Sequence, residues 1–341
     1  MKDKNETPVR WGIIGAGDVC EVKSGPGFYK APGSALVAIT KRDPAAAEDF
    51  ARRHGVSRWY TDPGALLADP EVDAVYVATP PHLHKRFAIQ AMRAGKPVLV
   101  EKPMGVSGSD CDAMLEVASE TAQRLWVAYY RRALDKFVTI KGTIDEGTIG
   151  EPRSVLIEFS RSREHQTHPA GGGNWRVDPA VAGAGIIADM GSHMLDLIDW
   201  FLGPITTVSA KAANRAGDYA AEDIVSATFL AGEPRGEGGA VSGAALWDLS
   251  GSQDTDRTVI RGSAGSIEYS TFDDAPAQLR RGDAVVDLAH TPAPLHVHQP
   301  LIALINEEIR GGAASPSGAT GGARTNRVLD ALVADYYHRR V

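Results

Sequence analysis

The sequence predicts an α/β protein in two parts: a doubly wound parallel sheet, then an α+β region built on a mostly antiparallel, open-faced sheet. Three observations carry this. Up to about residue 130, apolar strand-like runs alternate with helical stretches, the pattern of a parallel sheet covered by helices on both faces. Beyond that point strand-like runs follow one another without intervening helices, which favours antiparallel pairing. A length of 341 residues suits about two domains. The expected organisation is a disordered tail over 1–8, a dinucleotide-binding domain over 9–130, and a substrate and oligomerisation domain over 131–341 whose last helix can pack back on the first domain.

The first strand, "VRWGII", runs into Gly15, Ala16 and Gly17, followed by Asp18 and Val19. A strand ending in such a turn lets backbone amides approach a pyrophosphate, and the next helix points its positive N-terminus at it. These five residues are therefore candidate dinucleotide contacts of a Rossmann domain. Cys20 stands where a third glycine is often found and is small enough for close helix packing. Strands then recur at "ALVAI", "VDAVYVAT", "KPVLVEK" and "LWVAYY", separated by the helical "DPAAAEDFARRHG", "KRFAIQAMRAG" and "SDCDAMLEVASETAQ".

Ligands of such sheets sit beyond the carboxyl ends of the strands, where "TKRDP", "TPPHLH" and "EKPM" lie. An NAD site usually ends its second strand with an acid that holds the ribose hydroxyls. Here Thr40, Lys41 and Arg42 occupy that place, and a guanidinium and an ammonium suit a 2'-phosphate. NADP is favoured over NAD. The alternative is that both cations are solvated and Asp43 takes the ribose.

In the second part a helical stretch at 133–146 precedes "SVLIEFSRS" and the run "GAGIIADMGSHMLDLIDWFLG" over 183–203. At helical spacing Asp189, His193, Asp196 and Trp200 form a polar line beside a core stripe of Met190, Met194, Leu197 and Phe201. Strand-like runs follow at "ITTVSAKAANR", "DIVSATFLA", "AVSGAALWDLS", "RTVIRGSAGSIEYS" and "AVVDLAH". Helices at about 298–310 and 323–339 flank the loop "GGAASPSGATGG" and close the chain.

"GIIGAG", "VDAVYVATPPHLH", "AGKPVLVEKPM" and "GAGIIADMGSHMLDLIDW" together resemble the Gfo/Idh/MocA family of nicotinamide-dependent oxidoreductases, which includes glucose-fructose oxidoreductase and inositol dehydrogenases. The resemblance lies in motifs across residues 9–203. It implies that Gly15 and Gly17 form the phosphate turn, that Thr79, Pro80 and His84 lie against the cofactor, and that Lys102 stands on its nicotinamide side, with Glu101 also a candidate cofactor contact. It further implies that the helix bearing Asp189 and His193 faces the nicotinamide across a cleft, and that the Lys102–Pro103 bond is cis. Pro81 and Pro97 depart from the family, which commonly has Asn and His there.

The implied reaction is hydride transfer between a nicotinamide cofactor and a sugar, polyol or related compound. Such chemistry needs a proton acceptor, for which imidazole is suited. His193 takes that role, Asp189 orients the ring or binds a substrate hydroxyl, and Lys102 stabilises the developing alkoxide. Tyr130 and Arg131 after the last parallel strand, and Trp175 and Arg176 in the glycine-rich "EHQTHPAGGGNWRVDP", are candidate substrate contacts. That loop reads equally as a lid or as plain surface.

A net charge of -7 from 36 basic and 43 acidic residues, without a lysine-rich block, disfavours nucleic acid and membrane surfaces as partners. The polar opening "MKDKNETP" lacks a signal-like apolar core, so a cytoplasmic protein is expected. Two cysteines cannot build a disulfide framework or a zinc site, and His296 and His298 have no accompanying ligand cluster. No metal is expected. The family uses its open sheet for subunit contact, which implies a homodimer or homotetramer. Other functions remain open: a glycoside hydrolase that uses its cofactor transiently, a non-catalytic dinucleotide sensor, or a metal hydrolase. Lys102, Asp189 and His193 together speak against the sensor, and the lack of a third ligand speaks against the metal hydrolase.

Overall fold

The computed structural model describes residues 7–162, 174–233 and 239–338. The first six residues of the expected tail, and residues 164–173 of the expected lid, lie outside the described residues.

In chain order the elements are β1 (Val9–Ile14), α1 (Val19–Val22), α2 (Gly27–Lys30), β2 (Ser34–Thr40), α3 (Pro44–His54), β3 (Arg58–Tyr60), α4 (Pro63–Ala68), β4 (Ala74–Val77), α5 (His84–Arg93), β5 (Val98–Val100), α6 (Gly108–Thr121) and β6 (Leu125–Val127). There follow α7 (Asp135–Asp145), β7 (Pro152–Ser160), α8 (Pro179–Ala182), α9 (Ile186–Leu202), β8 (Ile205–Ala213), β9 (Ile224–Ala231), β10 (Val241–Asp248), β11 (Thr255–Gly262), β12 (Ser266–Tyr269), β13 (Ala277–Arg281), β14 (Ala284–Leu288), α10 (Gln299–Ile309) and α11 (Ala319–His338). The chain divides into two compact units. One takes the residues up to Gly105, Ser109–Leu134 and Pro294–Gly322; the other takes Val106–Gly108, Asp135–Ala293 and the chain from Ala323 onward.

The first unit is a six-stranded sheet in the order β3-β2-β1-β4-β5-β6, parallel throughout. The order reverses between β1 and β4, the switch point at which doubly wound sheets bind ligands. Every residue of β4 and β5 is buried, as strands covered on both faces must be. Two elements, β3 and α4, have no counterpart in the sequence reading. Strand β3 is three residues long, too short to show a period; α4 starts from a capping Asp62 and Pro63, a local signal that its six residues do not amplify. The single helix expected behind the glycine turn is instead two four-residue pieces, α1 and α2, parted at Ser24-Gly25-Pro26.

The second unit holds an eight-stranded sheet in the order β14-β13-β12-β11-β7-β10-β9-β8. Its neighbours pair antiparallel except β7 with β10. Burial alternates along β9, with Val225, Ala227 and Phe229 inward and Ser226 and Thr228 exposed. The run "RTVIRGSAGSIEYS" is a hairpin rather than one strand, β11 and β12 pairing about the turn before Ser266. Helix α9 packs on β8, β9 and β10, and all of its residues from Gly191 to Asp199 are buried. His193 and Asp196 thus lie as deep as the apolar stripe. Pro179–Leu202 is apolar enough by composition to cross a membrane, with mean hydropathy 1.2, but 72% of that window is buried in the manner of a core helix.

Candidate functional site

In the first unit the phosphate turn is anchored from β2. The Gly15 amide donates to Thr40 Oγ1 at 3.0 Å and the Ala16 amide to the Thr40 carbonyl at 3.0 Å. Gly15 has φ +83°, and a Cβ there would lie 2.6 Å from Thr79 Cγ2, so only glycine fits the approach of β1 to the loop after β4. A Cβ on Gly17 would meet nothing nearer than 3.9 Å, leaving the front of the turn open. The amides of Asp18 and Val19 find no acceptor among the described residues. Beside the turn, Thr79 Oγ1 is buried and has no partner among the described residues. An open glycine turn next to an unpaired buried hydroxyl fits a dinucleotide diphosphate. Helix α1 contributes less than a long helix would, because four residues sum to a small dipole.

At the end of β2, Lys41 lies over the Phe50 ring, 5.1 Å from its centroid, and Arg42 is exposed. Asp43 caps α3, accepting the Ala46 amide at 2.7 Å.

The third strand-end segment follows β5. The Lys102–Pro103 peptide is cis. Glu101 is buried, and its Oε1 accepts from Tyr76 Oη at 2.5 Å and from His298 Nε2 at 2.8 Å, while Oε2 accepts the Lys102 amide at 3.0 Å. Burial would push this carboxyl up, yet His298 and then Lys102 hold it below the usual range. His84 is also fully buried, with its ring nitrogens 3.0 Å from the Pro103 carbonyl and 2.7 Å from the Thr79 carbonyl. Burial lowers its pKa. The polar side-chain atoms of Glu101 and His84, two of the expected cofactor contacts, are engaged by protein. They brace the "TP" and "EKP" segments from behind, because at the centre of a covered sheet a charged or polar side chain must find internal partners.

Tyr130 and Arg131 form part of a single turn, Tyr130–Ala133, and both are buried. Arg131 Nη1 donates to Tyr130 Oη at 2.9 Å, and its guanidinium sits 4.9 Å from that ring. The other face of the cluster is His298, 4.5 Å from the Tyr130 ring. Neither Tyr76 nor His298 was among the expected site residues. Tyr76 reads as one more apolar strand residue, and His298 is 197 positions from Glu101, with no local pattern to link them. His296 is engaged elsewhere, between Lys30 Nζ and the Val22 carbonyl. Among the described residues no three His, Cys, Asp or Glu side chains gather as a metal site. Burial pushes the Cys20 thiol up to about 12, which keeps it unreactive.

In the second unit three separate expectations converge. Arg176 Nε donates to Asp189 Oδ2 at 3.1 Å, and the Arg176 guanidinium lies 4.5 Å from the Trp175 ring. Asn174 and Asp178 fix this stretch, accepting the amides of Arg176 and Ala180. Helix α9 opens at Gly185, whose amide donates to Glu222 Oε1 at 2.7 Å; Tyr337 Oη donates to Glu222 Oε2. Burial raises the Glu222 carboxyl, and neighbouring Asp223 adds to the rise. One turn beyond Asp189, His193 is 4% exposed, with its ring edge-on to Phe272 at 5.9 Å. Farther along, Asp199 takes two hydrogen bonds of 2.7 Å from Arg324.

Residues 9–129 match the family described as "Oxidoreductase family, NAD-binding Rossmann fold", and residues 137–268 match "GFO/IDH/MocA C-terminal domain". The chain belongs to the GFO/IDH/MocA oxidoreductase family. An oxidoreductase of Formosa agariphila is 34% identical over 297 residues, 87% of this chain and 89% of that protein. Inositol 2-dehydrogenase of Rhizobium meliloti is 29% identical over 296 residues, 84% of this chain and 82% of the other. The solved structure of levoglucosan dehydrogenase in complex with NADH and levoglucosan has the same fold, with TM-score 0.79 at 24% identity over 97% of this chain and 98% of that one. As a GFO/IDH/MocA protein, the chain is a nicotinamide-dinucleotide-binding oxidoreductase, and the Gly15–Val19 turn lies within the matched Rossmann domain.

Proposed function

We propose that this chain transfers a hydride between a nicotinamide dinucleotide, NADP in preference to NAD, and a small sugar, polyol or related carbonyl compound. One observation carries the reading: Lys102 follows β5 at the carboxyl edge of the sheet that also bears the Gly15–Gly17 turn, its amide pinned by buried Glu101. A bound nicotinamide supplies the hydride acceptor in oxidation and the donor in reduction. His193 takes the hydroxyl proton in oxidation and returns it in reduction. The Lys102 ammonium offsets negative charge building on the substrate oxygen. Asp189, already paired with Arg176, accepts from a substrate hydroxyl, and the Trp175 ring offers an apolar face to a sugar. Tyr130 and Arg131 act by shaping the wall beside His298.

The cofactor preference rests on Lys41 and Arg42, and it is supported by the engagement of Asp43 as the α3 cap. The names of the relatives, inositol and levoglucosan dehydrogenases, support a cyclic polyhydroxylated substrate. A homodimer or homotetramer joined through the outer face of the eight-stranded sheet is part of the proposal; Leu246 is exposed on that face. The test is a screen of sugars, cyclitols and lactones for change in nicotinamide absorbance with each cofactor. Turnover with at least one such compound, faster with NADP, is expected. Release of an aglycone without net cofactor turnover, or no turnover with any of them, contradicts the reading.

A further inference from the structure

We propose that His298 is a positioning residue for Lys102, acting through Glu101. This rests on the reading of Lys102 given above and extends it to a group brought from the far end of the chain.

The geometry leaves Glu101 little freedom. Its two oxygens accept from Tyr76, His298 and the Lys102 amide, three of about four sites a carboxylate offers. Its own amide donates to the Val77 carbonyl at 2.9 Å. An ionised carboxylate only accepts, so His298 Nε2 carries the proton of that bond whatever the state of Nδ1. His298 is 2% exposed, and its Nδ1 has no partner among the described residues, so Glu101 is the hydrogen-bond contact that fixes the ring. The Tyr130 ring covers one face of His298 at 4.5 Å.

A buried carboxylate persists as an anion only while its donors persist. Removing His298 leaves Glu101 with one phenol and one amide, and burial then favours the protonated acid. A protonated carboxyl is a poorer acceptor for the Lys102 amide, so the residue at the working strand end loses its anchor. The charged and titratable groups facing Glu101 are Tyr76 from β4, Lys102 after β5, His298 before α10, Cys20 from α1 and His84 from α5. Cys20 is held protonated by burial, and burial likewise favours neutral His84. His298 is the partner whose donor can be deleted without touching the strand end itself.

The test uses the full chain with 13C-labelled glutamate carboxyls, the Glu101 signal being assigned from Glu101→Gln. In the wild type, Glu101 stays ionised below the ordinary value of 4.5. In His298→Leu its titration moves up by about one to two pH units, the worth of one hydrogen bond to a buried charge. Turnover near neutral pH falls roughly tenfold, in the range known for partners that orient a working group. His298→Gln, whose amide nitrogen can donate from the Nε2 position, brings both back toward wild type. In a Glu101→Gln background, His298→Leu adds little further loss. An unchanged Glu101 titration in His298→Leu, failure of His298→Gln to bring it back, or fully additive losses in the double variant overturns the proposal. The carboxyl titration needs no turnover, so it stands apart from Lys102→Ala, whose activity tests the role of Lys102 itself.

Discussion

Two buried glutamates each pin a backbone amide, and their carboxyls are shifted in opposite directions. Glu101 pins the Lys102 amide at the end of β5, and its carboxyl is held low by His298 and Lys102 against the effect of burial. Glu222 pins the Gly185 amide at the head of α9, which bears Asp189 and His193, and its carboxyl is raised by burial with Asp223 nearby. Both accept from a phenol and a backbone amide. The difference is an imidazole donor, present at Glu101 as His298 and absent from the partners of Glu222 among the described residues. A buried acid with such a donor keeps its charge in the protein interior, whereas one without it acts as a neutral-leaning cap.

The largest expected effect tests what Glu101 supports. Lys102→Ala lowers hydride-transfer turnover by about three orders of magnitude with cofactor affinity nearly unchanged, since a lost oxyanion-side charge costs roughly 10²–10³ or more. Lys102→Arg restores little, because a planar guanidinium does not replace a point charge. Stopped-flow single turnovers and a separate binding titration check both statements, and full activity in Lys102→Ala breaks the comparison at its root.

Next in size is the cofactor end of the same sheet. Lys41→Asp shifts preference toward NAD by about one to two decades, the value of one charge-assisted contact of roughly 1.5–3 kcal/mol. Parallel Kd measurements with NADP and NAD read this directly, and a wild type that prefers NAD removes the idea.

The smallest effects separate the two glutamates. Glu222→Ala orphans the Gly185 amide and the Tyr337 hydroxyl and costs about 2 kcal/mol, whereas Glu222→Gln stays within about 1 kcal/mol of wild type. The signs with pH differ. A raised acid, Glu222, subtracts stability as pH rises from its unfolded toward its folded pKa; a lowered acid, Glu101, adds stability above its unfolded pKa that is lost as pH falls through the folded one. Urea unfolding across the acid range therefore loses part of its acid sensitivity in Glu101→Gln. In Glu222→Gln the decline on the alkaline side of that range is relieved instead. Identical pH dependence in the two variants contradicts the distinction.

Most of the fold was legible because its signals are local. The glycine turn, the strand and helix alternation and the period of α9 can each be read within about twenty residues. Trp175, Arg176 and Asp189 were recognisable one by one, and their joining into one cluster follows from thirteen residues of separation. What escaped depends on distance in the chain. Tyr76 and His298 become partners of Glu101 only once α10 has joined the first sheet. The same holds for the direction of Glu101 and His84: the motifs mark them as near the cofactor, but only three-dimensional burial shows that their polar atoms are taken by protein. Short elements such as β3 and the split of α1 from α2 lack the length that makes a period visible.

In the proposed reaction α9 supplies the proton acceptor through His193. The most direct measurement is the pH–rate profile of alcohol oxidation by wild type and His193→Asn, with cofactor binding measured alongside. Wild-type turnover is expected to rise with pH as the imidazole becomes neutral and then to level. In His193→Asn that limb disappears, turnover falls by about 10²–10⁴ with cofactor affinity kept, and the deficit narrows at high pH where hydroxide can substitute. A His193→Asn enzyme with the wild-type profile and wild-type turnover would contradict it.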